Sequence, residues 1–236
     1  MNLKKIFVMI LLIASFLSGC MYPDAELEKN QVPYQDQIDS VQRAVNQFQQ
    51  DNGGILPIKT KDATTPIYQK YPIDFQRVVP KYLAEPPGNS FENGGIFQYV
   101  ILDAETKPTV KLIDLRIAEK IRDIKIRLQT QQYPPFDKEI AKNVYTLNFK
   151  KLGYKETPFV VSPYTNQNLS FVIDGQGEVY VDYRSDLFAE ISKSKRDLKP
   201  GEDIRFILAE KSMIVPAFSL PYTIDLETNE PVFLSK

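Results

Sequence analysis

The sequence contains no histidine and no tryptophan, and its single cysteine is Cys20. Without histidine, neither a Ser-His-Asp triad nor a Cys-His pair can form, and no imidazole titrates near neutral pH. One cysteine forms no disulfide within the chain, and the side chains that usually bind zinc are missing. An enzyme would need carboxylates, a Ser/Lys pair or tyrosine, so we expect no catalytic residue, no metal site and no cofactor.

An excess of charge of one sign is also missing. The 29 lysines and arginines are balanced by 30 aspartates and glutamates, and no basic run stands out. Binding to nucleic acid needs a concentrated positive surface, and so does adhesion to anionic head groups through charge. We therefore expect neither kind of binding.

The longest apolar run lies near the start of the chain. It covers residues 6–17 and follows Lys4 and Lys5. A basic start, an apolar run and small residues are the layout of a secretory signal, and the run is shorter than the roughly 20 residues of a spanning helix. We predict a signal peptide over residues 1–19.

The end of this segment, Leu17-Ser18-Gly19-Cys20, resembles the bacterial lipobox. In that motif the cysteine thiol receives a diacylglyceryl group and a peptidase cuts before it. The resemblance implies cleavage between Gly19 and Cys20, a lipid such as palmitate on Cys20, and a chain held on the extracytoplasmic face of the cell membrane. Two or more acyl chains give stable anchoring. The alternatives are an ordinary uncleaved anchor and a buried cysteine in a core helix.

Two further stretches, residues 32–37 and 44–54, together with the motif at 17–20, resemble the uncharacterised lipoproteins of Bacillus-type Gram-positive bacteria. This resemblance implies a location and no particular activity.

The remainder indicates an α+β fold. Residues 20–33 form a polar tether after the lipidated cysteine. An apolar stripe of Ile38, Val41, Val45 and Phe48 predicts a helix over 34–51. Alternating β-formers then predict a hairpin, with strands at 97–102 and 109–114.

The pattern restarts after this hairpin. We predict helices at 115–130 and 137–151, the second capped by Asp137, and a hairpin with strands at 169–174 and 178–183. Units 34–114 and 115–183 would be degenerate helix–hairpin repeats. The alternative is two generic α+β units without common origin.

A C-terminal extension, 184–236, is expected to pack with the repeats as one globular unit. Its predicted elements are one helix and four short strands, at 186–196, 204–208, 213–215, 222–226 and 232–234.

Three patterns are candidates for chemistry. Asp174 and Glu178 flank a Gly-rich turn, which suggests calcium, but the EF-hand spacing is missing and a hairpin turn explains them better. Ser192 and Lys195 match the S-x-x-K spacing of penicillin-binding proteins, although the accompanying motifs are missing and a solvated helix end is the simpler interpretation.

The third pattern consists of aspartates at strand ends, which would gather only if the halves pack symmetrically and otherwise serve as turn residues: Asp103, Asp114, Asp174 and Asp182. Aromatic residues also recur along the strands, as core or, alternatively, as a face for a peptide or glycan: Phe97, Tyr99, Phe171, Tyr180 and Tyr183.

These observations favour a non-enzymatic binding or assembly module of the cell envelope. Its partners would be the membrane, through Cys20, and an envelope protein or wall component. The alternatives are a small-ligand or glycan-binding lipoprotein and a carboxylate or Ser/Lys hydrolase.

Overall fold

The computed structural model describes residues 35–193 and 196–234, which combine helices and strands in an α+β architecture. The predicted signal over 1–19, the cleavage site at Gly19 and Cys20, and the tether at 20–33 lie outside the described residues. Among those described, no helix is both long and apolar enough to cross a membrane.

The first helix, α1, spans Gln35–Asp51 and confirms the helix predicted from the apolar stripe. Ile38, Val41, Val45 and Phe48 are all buried. The helix stops at Asn52, whose side-chain amide donates to the Phe48 carbonyl over 2.7 Å. A short second helix, α2, spans Phe75–Val78, and 3-10 helices span Ile67–Gln69 and Phe91–Asn93.

The predicted hairpin over 97–114 is confirmed. Strand β1, Phe97–Leu102, pairs antiparallel with β2, Thr109–Asp114. Both faces of the hairpin are buried. One face contributes Tyr99 and Leu112 to the core beneath α1, and the other contributes Val100 and Ile113 to a smaller cluster.

Neighbouring segments cover both outer edges of this hairpin. Tyr71 and Ile73 hydrogen-bond to β1. On the other side, the Leu112 N–H donates to the Met213 carbonyl and the Val215 N–H donates to the Leu112 carbonyl, each over 2.9 Å. A segment near the end of the chain thus completes the sheet of the N-terminal unit.

Helix α3, Leu115–Gln129, confirms the helix predicted at 115–130 and packs on a four-stranded antiparallel sheet. In their spatial order, the strands of this sheet are β3, Phe136–Ala141; β4, Val144–Leu147; β7, Phe171–Asp174; and β8, Val179–Val181. Strands β3 and β4 occupy the region where a helix was predicted at 137–151, so that prediction was wrong. Asp137 lies within β3 and caps no helix. Strands β5, Val160–Val161, and β6, Asn168–Leu169, form a separate pair.

The cause of that error is a tight turn at Asn143, which has a positive φ of 62°. Asparagine tolerates this left-handed conformation better than most residues, so the chain reverses there. Val144 and Leu147 then reach the core from a strand, at a spacing that also suits a helix.

In the C-terminal extension, α4 spans Arg184–Lys193, close to the helix predicted at 186–196. The strand predicted at 204–208 was wrong, because Phe206–Lys211 forms helix α5. The predicted strand at 213–215 forms an isolated bridge between Ile214 and Leu112. Strand β9, Tyr222–Ile224, confirms the strand predicted at 222–226 in shortened form, and β10, Pro231–Phe233, confirms the strand predicted at 232–234 with a shift of one residue. The two strands pair as a hairpin.

Candidate functional site

Three helices begin with the same local structure, an Asp-x-Arg sequence in which the aspartate holds the arginine. The sequence occurs at 114–116, 182–184 and 203–205, and nowhere else in the chain. In each case one carboxylate oxygen accepts the arginine backbone N–H over 3.0–3.1 Å. The guanidinium also donates to both carboxylate oxygens, with Nη2 to Oδ2 distances of 2.6–2.7 Å.

The three arginines differ in what surrounds them. Arg116 has 51% of its side chain exposed, Arg184 has 36% and Arg205 has 9%. The guanidinium of Arg184 lies over the ring of Phe233 at 4.7 Å, and that of Arg205 lies over Tyr68. The Asp-x-Arg motif is therefore a structural unit that occurs three times. Of its three arginines, Arg184 is the one that both packs on an aromatic ring and keeps about a third of its side chain exposed.

The strand-end aspartates do not gather. Asp114 and Asp182 are bound in these helix starts, whereas Asp103 and Asp174 close turns. Asp174 Oδ1 accepts the backbone N–H groups of Gln176 and Glu178, each over 2.9 Å, as hairpin-turn chemistry requires. Within the described ranges, no group of three or more acidic residues is placed to hold a metal ion.

Ser192 makes an ordinary helical contact. Its hydroxyl donates to the Phe188 carbonyl over 2.7 Å. Lys193 instead pairs with Glu190, and so does Lys211, which links α4 to α5. Their hydrogen bonds lower the pKa of Glu190. Lys195, the predicted partner of Ser192, lies outside the described residues.

The aromatic residues of the strands form mainly core. Phe97, Tyr99, Phe171 and Tyr183 are buried, whereas Tyr180 is half-buried and donates its hydroxyl to Asp174. The four buried rings fill the interior between helices and sheets and are therefore not accessible to a ligand.

The first turn of α4 carries a buried carboxylate, Asp186, that pairs with no cation of the described residues. Asp186 accepts hydrogen bonds from the hydroxyls of Ser162, over 2.8 Å, and Thr165, over 2.6 Å. Both bonds go to Oδ1, and within the described residues Oδ2 and the Tyr183 hydroxyl have no partner. Burial raises the pKa of Asp186 despite these hydrogen bonds. The group fastens the β5–β6 turn to α4, which is a structural role.

A concave feature, which we call the large cleft, has a volume of about 820 Å³. It lies between the N-terminal unit and α5. One wall is the 3-10 helix at Ile67–Gln69, the second is the turn between β1 and β2, and the third is α5. The volume is within the range of about 300–1,000 Å³ that is typical of ligand sites.

Two apolar side chains stand exposed at the large cleft. Ile67 is 59% exposed and Phe206 is 39% exposed. Tyr68, which follows Ile67 in the same 3-10 helix, is buried, and its ring is covered by Arg205, the residue before Phe206. Periodicity could not predict this arrangement, because Ile67 lies in an irregular stretch and Phe206 falls within the strand wrongly predicted at 204–208.

Charged side chains of both signs line the same cleft. The cations are Lys70, Lys107 and Lys111, and the carboxylates are Asp103, Glu105 and Glu210. Lys111 is fixed by a hydrogen bond of 2.7 Å to the Ser212 carbonyl, and burial lowers its pKa. Glu210 pairs with Arg196 over 3.0 Å. The arrangement can bind a ligand that carries apolar groups and both charges.

The fold defines an α+β protein whose N-terminal unit is recognisable by comparison. Residues 34–114 match the model of the YphF family N-terminal domain, a Bacillus-type family. The match ends where β2 ends, and it includes neither α5 nor the segment 213–215. No curated protein and no solved structure matches the chain.

Proposed function

We propose that the protein is a membrane-anchored, non-enzymatic binding module of the cell envelope, and that its large cleft takes a segment of an envelope polypeptide. The observation that carries this proposal is the combination, in one cleft, of the exposed Ile67 and Phe206 with charges of both signs.

A polypeptide is the ligand class that matches this mixture. Its side chains supply apolar groups for Ile67 and Phe206, and its charged residues can pair with the lysines and carboxylates. The phosphates of a nucleic acid would be repelled by the three carboxylates as much as they are attracted by the three lysines, so the electrostatic attraction that drives nucleic-acid binding is lost. A neutral sugar carries no charge that could pair with the lysines and carboxylates of this cleft.

Site-specific photo-crosslinking tests the proposal. A photoreactive phenylalanine is placed at Phe206 or at Ile67 in living cells, and crosslinked peptides are identified by mass spectrometry. Phe91, which is 62% exposed on the N-terminal unit, is the matched control position. We expect both cleft positions to capture the same envelope polypeptide, and Lys107→Glu to reduce its yield.

Equal crosslinking from Phe91 and from the cleft positions would contradict the proposal. Different partners at Ile67 and Phe206 would also contradict it, because one segment in the cleft must contact both.

The anchor is a separate part of the proposal. We infer that residues 1–19 are a signal peptide and that Cys20 carries the lipid, which holds the domain on the extracytoplasmic face of the membrane. The sequence Leu17-Ser18-Gly19-Cys20 supports this. Metabolic labelling with a clickable fatty acid should label the wild type but not Cys20→Ala. Absence of label from both would refute the anchor.

We also infer that units 34–114 and 115–183 are a degenerate duplication. In each, the first helix packs on the second strand of a hairpin, α1 on β2 and α3 on β8. In each, an Asp-x-Arg sequence begins at the end of that strand: Asp114 is the last residue of β2, and Asp182 directly follows β8. A profile built from relatives should align the two units better than shuffled sequences, and failure to do so would reject common origin.

A further inference from the structure

A second concave site, which we call the small cleft, lies where α4 begins. Its volume is about 490 Å³. The β6–β7 junction forms one side, the first turns of α4 form another, and the start of β10 closes the third. It shares no lining residue with the large cleft.

Polar groups without protein partners converge on the small cleft. The side chains of Asn168, Ser170, Ser185 and Glu230 line it, and none makes a hydrogen bond to another of the described residues. Together they offer an amide, two hydroxyls and a carboxylate. This set both donates and accepts hydrogen bonds and lacks any lysine.

Arg184 adds a donor whose position is fixed. Its Nε and Nη2 atoms are held by Asp182, and its plane lies over the ring of Phe233 at 4.7 Å. Within the described ranges, Nη1 makes no hydrogen bond. Because the guanidinium is immobilised before any ligand arrives, a hydrogen bond from it costs little conformational entropy. Its charge is already neutralised by Asp182.

An aromatic side chain stands beside these groups. Phe188 is 48% exposed and also lines the small cleft. It lies four residues after Arg184, so the two side chains share one face of α4. An exposed phenylalanine next to unpaired hydroxyl, amide and guanidinium groups offers a flat apolar surface together with donors and acceptors.

We propose that the small cleft binds a neutral carbohydrate. A sugar ring has an apolar face of C–H groups for Phe188 and hydroxyls that both donate and accept for Asn168, Ser170 and Ser185. An anion is disfavoured, because Asp182 already occupies Arg184 and Glu230 adds a negative charge. The site does not depend on which ligand fills the large cleft.

Calorimetric titration of the full chain tests this site. The protein is purified in a detergent without a sugar head group, and the probes are the β-1,4-linked trimer of N-acetylglucosamine and the α-1,4-linked trimer of glucose. We expect at least one trimer to bind. Phe188→Ala should weaken that binding about tenfold, because the aromatic surface is lost.

Phe91→Ala is the matched control, since Phe91 is comparably exposed but lies on the N-terminal unit. It should bind the trimer as the wild type does. Absence of binding by both trimers, equal affinity of the wild type and Phe188→Ala, or displacement of the trimer by inorganic phosphate would overturn the proposal. None of these outcomes bears on crosslinking from the large cleft.

Discussion

Arg205 covers Tyr68, with 5.1 Å between the guanidinium carbon and the centre of the ring. Arg205 belongs to the third Asp-x-Arg helix start, and Tyr68 belongs to the unit that begins the chain. Arg205 Nη1 also donates to the Ser219 carbonyl over 2.9 Å. This one side chain therefore connects the C-terminal extension to the wall of the large cleft.

Removal of this side chain should be costly. Arg205→Ala loses a buried set of hydrogen bonds and the contact with Tyr68, so we expect the free energy of unfolding to fall by about 2–4 kcal/mol. Urea denaturation followed by circular dichroism measures it. Arg77→Ala is the control, because Arg77 also pairs with an aspartate at a helix start, Asp74, but is 51% exposed and leaves no fully buried carboxylate behind. It should cost about 0.5 kcal/mol, and equal losses would contradict the expectation.

Tyr222 links the last hairpin to the start of α4. Its buried hydroxyl accepts the Tyr183 N–H over 2.9 Å and donates to the Val181 carbonyl over 3.1 Å. Tyr222→Phe leaves both backbone groups without a partner, so we expect a loss of about 1–3 kcal/mol in thermal or urea denaturation. Tyr133→Phe, at a side chain that is 76% exposed, should change nothing measurable. An unchanged Tyr222→Phe variant would show that water replaces both bonds.

Asp186 should make stability depend on pH. Burial raises the pKa of Asp186 in the folded protein above its ordinary value of 3.8, so the folded state binds the proton more tightly than the unfolded state. The resulting stabilisation is complete below about pH 3.8 and is lost as the pH rises through the raised pKa.

Asp186→Asn removes this titration but keeps an oxygen to accept from Ser162 and Thr165. The variant should match the wild type in acid and be the more stable protein at pH 7, as measured by urea denaturation across the pH range. Greater stability of the wild type at pH 7 would mean that the charged form is favoured inside the fold.

Gly95 and Gly175 should respond differently to an added methyl group. A Cβ at Gly95 would overlap the backbone of Asn89, whereas a Cβ at Gly175 would meet the side chain of Asn143. Backbone cannot move aside, but a side chain can rotate. Gly95→Ala should cost about 3 kcal/mol or more, and Gly175→Ala should cost about 1 kcal/mol. Thermal denaturation ranks the two, and the reverse order would contradict this packing argument.

Sequence periodicity predicted those elements whose burial pattern is unambiguous. For the apolar stripe of α1 and the alternating residues of β1 and β2, one type of secondary structure alone buries all of the apolar side chains. Residues 137–151 are compatible with two structures, because Ile140, Val144 and Leu147 could be buried either on one face of a helix or by a hairpin. The left-handed turn at Asn143 decides between them, and only asparagine's tolerance of that conformation marks it in the sequence.

The candidate sites were harder to predict, because both clefts are formed by residues far apart in the chain. Ile67 and Phe206 meet only through tertiary packing, and neither belongs to a motif. The Asp-x-Arg sequences could have been found, because each stands at the start of a helix and the first two come at the end of an apolar strand. Their recurrence at Asp203 would have corrected the strand predicted at 204–208.

The hydrogen bonds between Leu112 and the segment 213–215 also have a consequence for folding during synthesis. The hairpin leaves the ribosome about a hundred residues before the segment that covers its edge. During that interval, the exposed backbone of β2 can pair with a β2 strand of another newly made copy. Truncation that removes residues 213–215 should therefore produce aggregates rather than a smaller soluble domain. Protection of the first half of the chain from self-association depends on synthesis of its last part.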